Sequence, residues 1–96
     1  MDPLRLRPGA RLMTTLALVT RDGCCLCEGL EEKLHALGFP FERLDVDADP
    51  QLLSRFDLEV PVLITRTPAG ERVLPRVSPR LSAPQLAVWL QQQGLP

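Results

Sequence analysis

Cysteine fills three of the four positions in Cys24-Cys25-Leu26-Cys27. Thiols do chemistry in two ways: as thiolates they exchange with disulfides, and they hold soft metal ions. Spacing separates the possible pairs. Residues three apart on a helix stand about 5–6 Å apart at Cβ, close to the reach of a disulfide. Cys24 and Cys27 meet that condition. Cys25 and Cys27 point to different sides of a helix, and a Cys24–Cys25 bridge would close a small strained ring. Cys24 with Cys27 is therefore the expected reversible pair. Cys25 reads as a tolerated small residue in preference to a third redox centre or a glutathionylation site.

Such a pair works only if something positions it. Met13 to Thr20 is a run of β-branched and aliphatic residues that suits a strand buried on both faces. Arg21-Asp22-Gly23 breaks that run. Leu26, Leu30, Leu34 and Leu37 then recur at helical spacing, with Glu28, Glu31, Glu32 and Lys33 largely on the other side. Gly38 and Pro40 end the helix. Cys24 thus falls at a helix N-terminus, where free backbone N–H groups and a partial positive charge favour a thiolate. Arg21 is expected to add a full charge. Surroundings of this kind bring a thiol pKa from about 8.5 down to about 3.5–7.5. The expected nucleophile is Cys24, and Cys27, one turn deeper, is the expected resolving thiol.

The rest of the chain supplies further elements. Phe41 to Val46 reads as a strand, and Asp49-Pro50 as the N-cap and first residue of a short helix ending at Phe56. Pro61 to Thr65 reads as a strand. The Thr67-Pro68-Ala69-Gly70 turn should bring Glu71 to Leu74 back as its hairpin partner. Ser82 and Gln85 form a capping box for a last helix that carries Leu86, Trp89 and Leu90 inward and closes at Gly94. The order β-α-β-α-β-β-α predicts an α/β fold: a mixed four-stranded sheet with helices on its faces. Residues 1–11, with Pro3, Pro8 and Gly9, read as a loose leader, and 12–96 as one domain.

Composition narrows the function. The chain has 96 residues, 45% hydrophobic and 24% charged, with a net charge of −1. That balance lacks the basic footprint of a nucleic-acid binder and the polybasic patch of a membrane-surface protein. No apolar run approaches the roughly 20 residues of a bilayer span, and Leu16 to Val19 is short for a signal peptide. A cytoplasmic address is expected, and there clustered cysteines do not signal a structural disulfide framework.

The stretch from Leu18 to Glu28, around Cys24-Cys25-Leu26-Cys27, resembles the active-site segment of the glutaredoxin-like branch of the thioredoxin superfamily. Val60-Pro61-Val62-Leu63 matches a second motif of that superfamily. The resemblance runs from about Leu12 to Leu95, and small bacterial glutaredoxin-like proteins are the nearest type. It implies a thioredoxin-like three-layer sandwich with sheet order 2-1-3-4. It also implies a cis Val60–Pro61 bond beside the reactive cysteine. The chain departs from thioredoxins in having Gly23 before the first cysteine and Leu18 where a buried acid is usual. It departs from glutaredoxins in two places. Cys25-Leu26 replaces Pro-Tyr, and Arg76-Val77-Ser78-Pro79-Arg80 stands where a Gly-Gly and an acidic pair hold glutathione.

Other chemistries fit the residues less well. Zinc within one chain lacks ligands, because His35 lies about 12 Å along the helix from Cys27; His35 reads as a solvated helix residue. Asp45-Val46-Asp47-Ala48-Asp49 lacks the glycine and glutamate of a calcium loop. The expected activity is thiol–disulfide oxidoreduction through Cys24 and Cys27 on protein disulfides or glutathione mixed disulfides. Arg21, Val60 and Pro61 are the expected substrate contacts, with the Val60 backbone pairing with an extended substrate. No tightly bound cofactor is expected. Glutathione or a reductase would supply electrons, and the chain should be monomeric, with neither nucleic acid nor membrane as partner. The alternative is a binding module that shares the Cys24-Cys25-Cys27 cluster between two chains to hold a thiophilic metal or an iron–sulfur cluster. A third reading is an interaction domain whose cysteines do not turn over.

Overall fold

A computed structural model describes residues 14–95. The expected leader, 1–11, lies outside the described residues, as does Met13. The elements are β1 (Thr15–Thr20), α1 (Cys25–Ala36), β2 (Glu42–Asp45), a 3-10 turn (Val46–Ala48), α2 (Pro50–Phe56), β3 (Val62–Thr67), β4 (Gly70–Val73) and α3 (Ala83–Gln92). The strands form one sheet in the order β2-β1-β3-β4. β1 runs parallel to β2 and antiparallel to β3, and β3 runs antiparallel to β4.

The period-2 alternation of β1 divides the core in two. Leu16 and Leu18 face one side, where they join Leu63 and the buried faces of α1 (Leu30, Leu34) and α3 (Leu86, Leu90). Ala17 and Val19 face the other side, with Val62, Ile64, Val46 and Phe56. The β1–β3 register agrees with this division: Leu18 lies opposite Leu63, Ala17 opposite Ile64, and Val19 opposite Val62. Two apolar layers thus sandwich the sheet, which is the three-layer α/β architecture expected. Trp89 is half-buried against the first layer.

Helix ends follow from local chemistry. Ser82 Oγ accepts the Gln85 N–H at 3.3 Å, and Gln85 Oε1 accepts the Ser82 N–H at 2.9 Å, completing the capping box of α3. Asp49 accepts the Gln51 N–H at 2.9 Å and opens α2 with Pro50 behind it. α1 and α3 close in the same way. The Gly38 N–H reaches His35 O and the Phe39 N–H reaches Leu34 O, while Gly94 and Leu95 repeat the pattern on Gln91 and Leu90. This is the Schellman arrangement, and it needs the left-handed φ of +65° at Gly38 and +90° at Gly94.

Some details differ from the sequence reading. β2 stops at Asp45 because that side chain accepts the Asp47 N–H and caps the 3-10 turn, tucking Val46 into the second layer. β3 starts after Pro61, which has no N–H for the ladder, and runs on to Thr67. β4 is one residue earlier than expected, and Leu74 is buried beyond it, its N–H on Leu63 O. Leu26, expected on the buried stripe of α1, is 51% exposed. The inward stripe is Cys27, Leu30 and Leu34. Leu26 lies about 100° round the helix from Cys27, which puts it at the rim.

Leu34→Ala should therefore destabilise the fold by about 2–5 kcal/mol through the cavity it leaves. Ser82→Ala should cost about 1 kcal/mol by removing a cap. Urea denaturation followed by circular dichroism measures both.

Candidate functional site

β1 ends at Thr20, and the chain reverses through Arg21-Asp22-Gly23-Cys24, closed by the Cys24 N–H on Arg21 O at 3.2 Å. Gly23, at φ +80°, supplies the left-handed residue of this turn. α1 begins at once, with Cys24 as its N-cap. The Cys24 Sγ accepts the Cys27 N–H at 3.1 Å, and the Cys24 carbonyl accepts the Glu28 N–H at 3.0 Å.

Cys24 and Cys27 are joined as a disulfide, their Cα atoms 5.2 Å apart. The two sulfurs differ in access. Cys24 is half-buried, whereas Cys27 is sealed in the interior. Cys25 is free and exposed. Among the described residues, no group of three His, Cys, Asp or Glu side chains is gathered as a metal site. His35 is exposed and lies against the Phe41 ring, with centroids 5.1 Å apart.

Two arginines clamp the turn that carries the sulfur. Arg21 forks onto Asp47, Nε to Oδ2 at 2.9 Å and Nη2 to Oδ1 at 3.0 Å. It also reaches Asp57, Nη2 to Oδ1 at 2.7 Å and Nη1 to the carbonyl at 3.0 Å. The guanidinium, expected to lend its charge to Cys24, is thus committed to two carboxylates, and none of these bonds goes to a sulfur. Those hydrogen bonds, the one to Asp47 first, push Arg21 further above its ordinary value, and Arg21 in turn holds Asp47 below the usual carboxylate range. Arg43 does the same on the other side: it meets Asp22 at 2.9 Å and Glu31 at 3.4 Å, linking β2, the turn and α1. The hydrogen bond to Asp22 is the main cause of its raised pKa.

Asp47 and Asp57 were not singled out in the sequence. Asp45, Asp47 and Asp49 in fact divide three jobs: capping the 3-10 turn, gripping Arg21 and capping α2. Their alternate spacing on a turn was the only available signal.

The Val60–Pro61 bond is cis. Both residues are half-buried and lie just before β3, whose β1 pairing reaches only to Val62. Among the described residues, no hydrogen bond engages the Val60 backbone. Pro61 and Cys25 both line a groove of about 150 Å³, which the 76–81 segment and the first turns of α1 complete. Lys33 Nζ ties that segment down, donating to Pro79 O at 2.8 Å. A larger cavity of about 670 Å³ opens at the opposite end of β1, around Leu16, Phe39 and Leu95, and has no cysteine in its lining.

The Arg21 clamp makes stability depend on acid. Asp47 has a depressed pKa in the folded chain, so its contribution is complete above the ordinary carboxylate range of about pH 4 and is lost as pH falls through the lowered value. Arg21→Ala should lower the thermal midpoint at neutral pH, and the gap from the unaltered protein should close as pH falls towards about 3. Thermal melts across that range test it.

A profile of the family described as glutaredoxin-like domain (DUF836) matches residues 15–91. The X-ray structure of a structural-genomics target protein, XcR50 from X. campestris, is 38% identical, with a TM-score of 0.57 over 81% of this chain and 97% of that one. Trxlp from Edwardsiella tarda EIB202 shares 20% identity over 94% and 93% of the two chains, with a TM-score of 0.59. A mutant thioredoxin from Halobacterium salinarum NRC-1 shares 18% over 96% and 84%, with a TM-score of 0.60. These last two show likeness of fold. The comparison with curated proteins finds no match. Among the described residues, no helix is long and apolar enough to cross a membrane. A profile spanning most of the chain, the thioredoxin-type sheet and a paired C-x-x-C at the head of α1 lead to one conclusion: the chain belongs to the family described as glutaredoxin-like domain (DUF836), and it has a thioredoxin-type fold.

Proposed function

We propose that this chain is a dithiol–disulfide oxidoreductase in which Cys24 attacks and Cys27 resolves. The family and the cysteine pair point to thiol redox chemistry, and the division of roles follows from one observation. Cys24 Sγ is half-exposed and accepts the Cys27 N–H at the head of a 12-residue helix, while Cys27 is fully buried.

In the reduced protein that N–H donor faces a sulfur that can ionise. Hydrogen bonds to charged groups contribute about 1.5–3 kcal/mol, roughly twice those to neutral ones, so the donor favours the thiolate over the thiol. The helix N-terminus acts in the same direction. The Cys24 thiolate attacks one sulfur of a substrate disulfide. A Cys24–substrate bond forms, and the other substrate sulfur leaves as a thiolate and takes up a proton. Cys27 then loses its proton and attacks Cys24 Sγ. The mixed disulfide breaks, the second substrate thiol departs, and the Cys24–Cys27 disulfide forms. The substrate gains two electrons and the protein loses two. Glutathione or a dithiol reductase returns them, in a reducing compartment such as the cytoplasm.

The Val60 N–H and C=O, left out of the sheet, offer an extended substrate a strand-like pair of hydrogen bonds, with Pro61 beside them on the groove wall. Arg21 acts at one remove, by anchoring the turn that holds Cys24.

Cys24→Ser should abolish exchange, whereas Cys27→Ser should retain attack and accumulate the mixed disulfide, visible by mass spectrometry. Reduced wild-type protein should be alkylated at Cys24 faster than free cysteine at neutral pH. Alkylation at the free-thiol rate, with no mixed disulfide trapped in Cys27→Ser, would falsify the reading.

A further inference from the structure

The groove beside the disulfide carries charge of one sign. Among the described residues, Lys33 and Arg76 are its only charged lining residues, and both are cations, in a chain whose acids outnumber its bases by 12 to 11. Lys33 spends one of its three N–H donors on Pro79 O. Arg76 has no carboxylate partner among the described residues, unlike Arg21, Arg43, Arg55 and Arg66. Leu26, Leu30, Val77 and Leu81 give the same groove apolar lining. Leu26 is half-exposed here although it belongs to the helix that buries Leu30 and Leu34.

We infer that this groove selects polypeptide substrates whose reacting cysteine is flanked by an aliphatic side chain and a carboxylate. The inference rests on the exchange activity proposed above and adds what that activity prefers. A volume of about 150 Å³ is of the size that accommodates benzene, and so takes an isobutyl group. The carboxylate then meets Arg76 and the free donors of Lys33, while the peptide backbone lies along Val60. Glutathione fits this chemistry less well. It brings an ammonium as well as carboxylates; among the described residues the groove lining has no acid to receive the ammonium, and glutathione has no aliphatic side chain to cover Leu26.

The test uses a Cys25→Ser/Cys27→Ser double variant, which leaves Cys24 as the only thiol. Its probes are short peptides, N-acetylated and C-amidated, bearing a 2-pyridyl disulfide on their cysteine. The Cys24 thiolate attacks the peptide sulfur, the Cys24–peptide disulfide forms, and the pyridyl–sulfur fragment leaves with the electron pair, takes a proton and is read by absorbance as pyridine-2-thione. A Leu-Cys-Glu probe should react about tenfold faster than Leu-Cys-Lys at low salt, with the ratio shrinking towards one near 1 M salt. Arg76→Glu in the same background should reverse the preference between the two charged probes, which a mere loss of structure would not do. Equal rates for the two charged probes, or a faster reaction with the glutathione pyridyl disulfide than with Leu-Cys-Glu, would overturn the groove's role. In both cases, brisk reaction of Cys24 leaves the exchange activity standing. Reaction of every probe at the rate of free cysteine would remove the exchange reading and the groove with it.

Discussion

The bond between the Cys27 amide and the Cys24 sulfur joins the beginning of a helix to the chemistry of a thiol. Most N-caps are oxygens from Ser, Thr, Asp or Asn, chosen because they accept an otherwise unpaired helix N–H. Here the acceptor is a sulfur that also belongs to the redox pair. The same donor serves both states, and the state with negative charge gains more from it. This arrangement works only if the first turn of α1 stays where it is, so much of the molecule can be understood as support for that turn.

The support comes from three directions. Beneath the turn, β1 fills both core layers and ends in Thr20, which is itself buried. To the sides, Arg21 reaches the 3-10 turn and the end of α2, Arg43 reaches from β2 to the turn and α1, and each binds two acidic side chains. Exposed ion pairs of this kind contribute little individually. Their value here is geometric, since a forked guanidinium fixes the distance between segments remote in sequence. Across the groove, the contact from Lys33 to Pro79 keeps the 76–81 segment against α1.

Much of this was legible in the residue pattern. The alternation in β1, the Asp49-Pro50 and Ser82–Gln85 caps and the glycine closures of two helices are local signals, and local signals survive folding. The C-x-x-C spacing was of the same kind. What stayed hidden depended on tertiary neighbours. Arg21 looked like a counter-charge for Cys24 because only three residues separate them, yet its partners lie 26 and 36 residues away. Leu26 looked buried because four leucines share a period, but Cys27 occupies the inward position in that first turn. No pattern within α1 shows that a segment from the far end of the chain will come to lie against its rim.

The outer edge of the sheet has a consequence for association. β4 is four residues long, exposed throughout, and carries Glu71 and Arg72, with Glu71 paired across the ladder to Arg66. A short charged border of this kind is a poor template for another copy of the chain. The Val60 backbone, without a hydrogen-bond partner among the described residues, lies just before β3. The β4 border therefore discourages strand addition, and under the proposed reaction an extended guest is received at Val60 and not there.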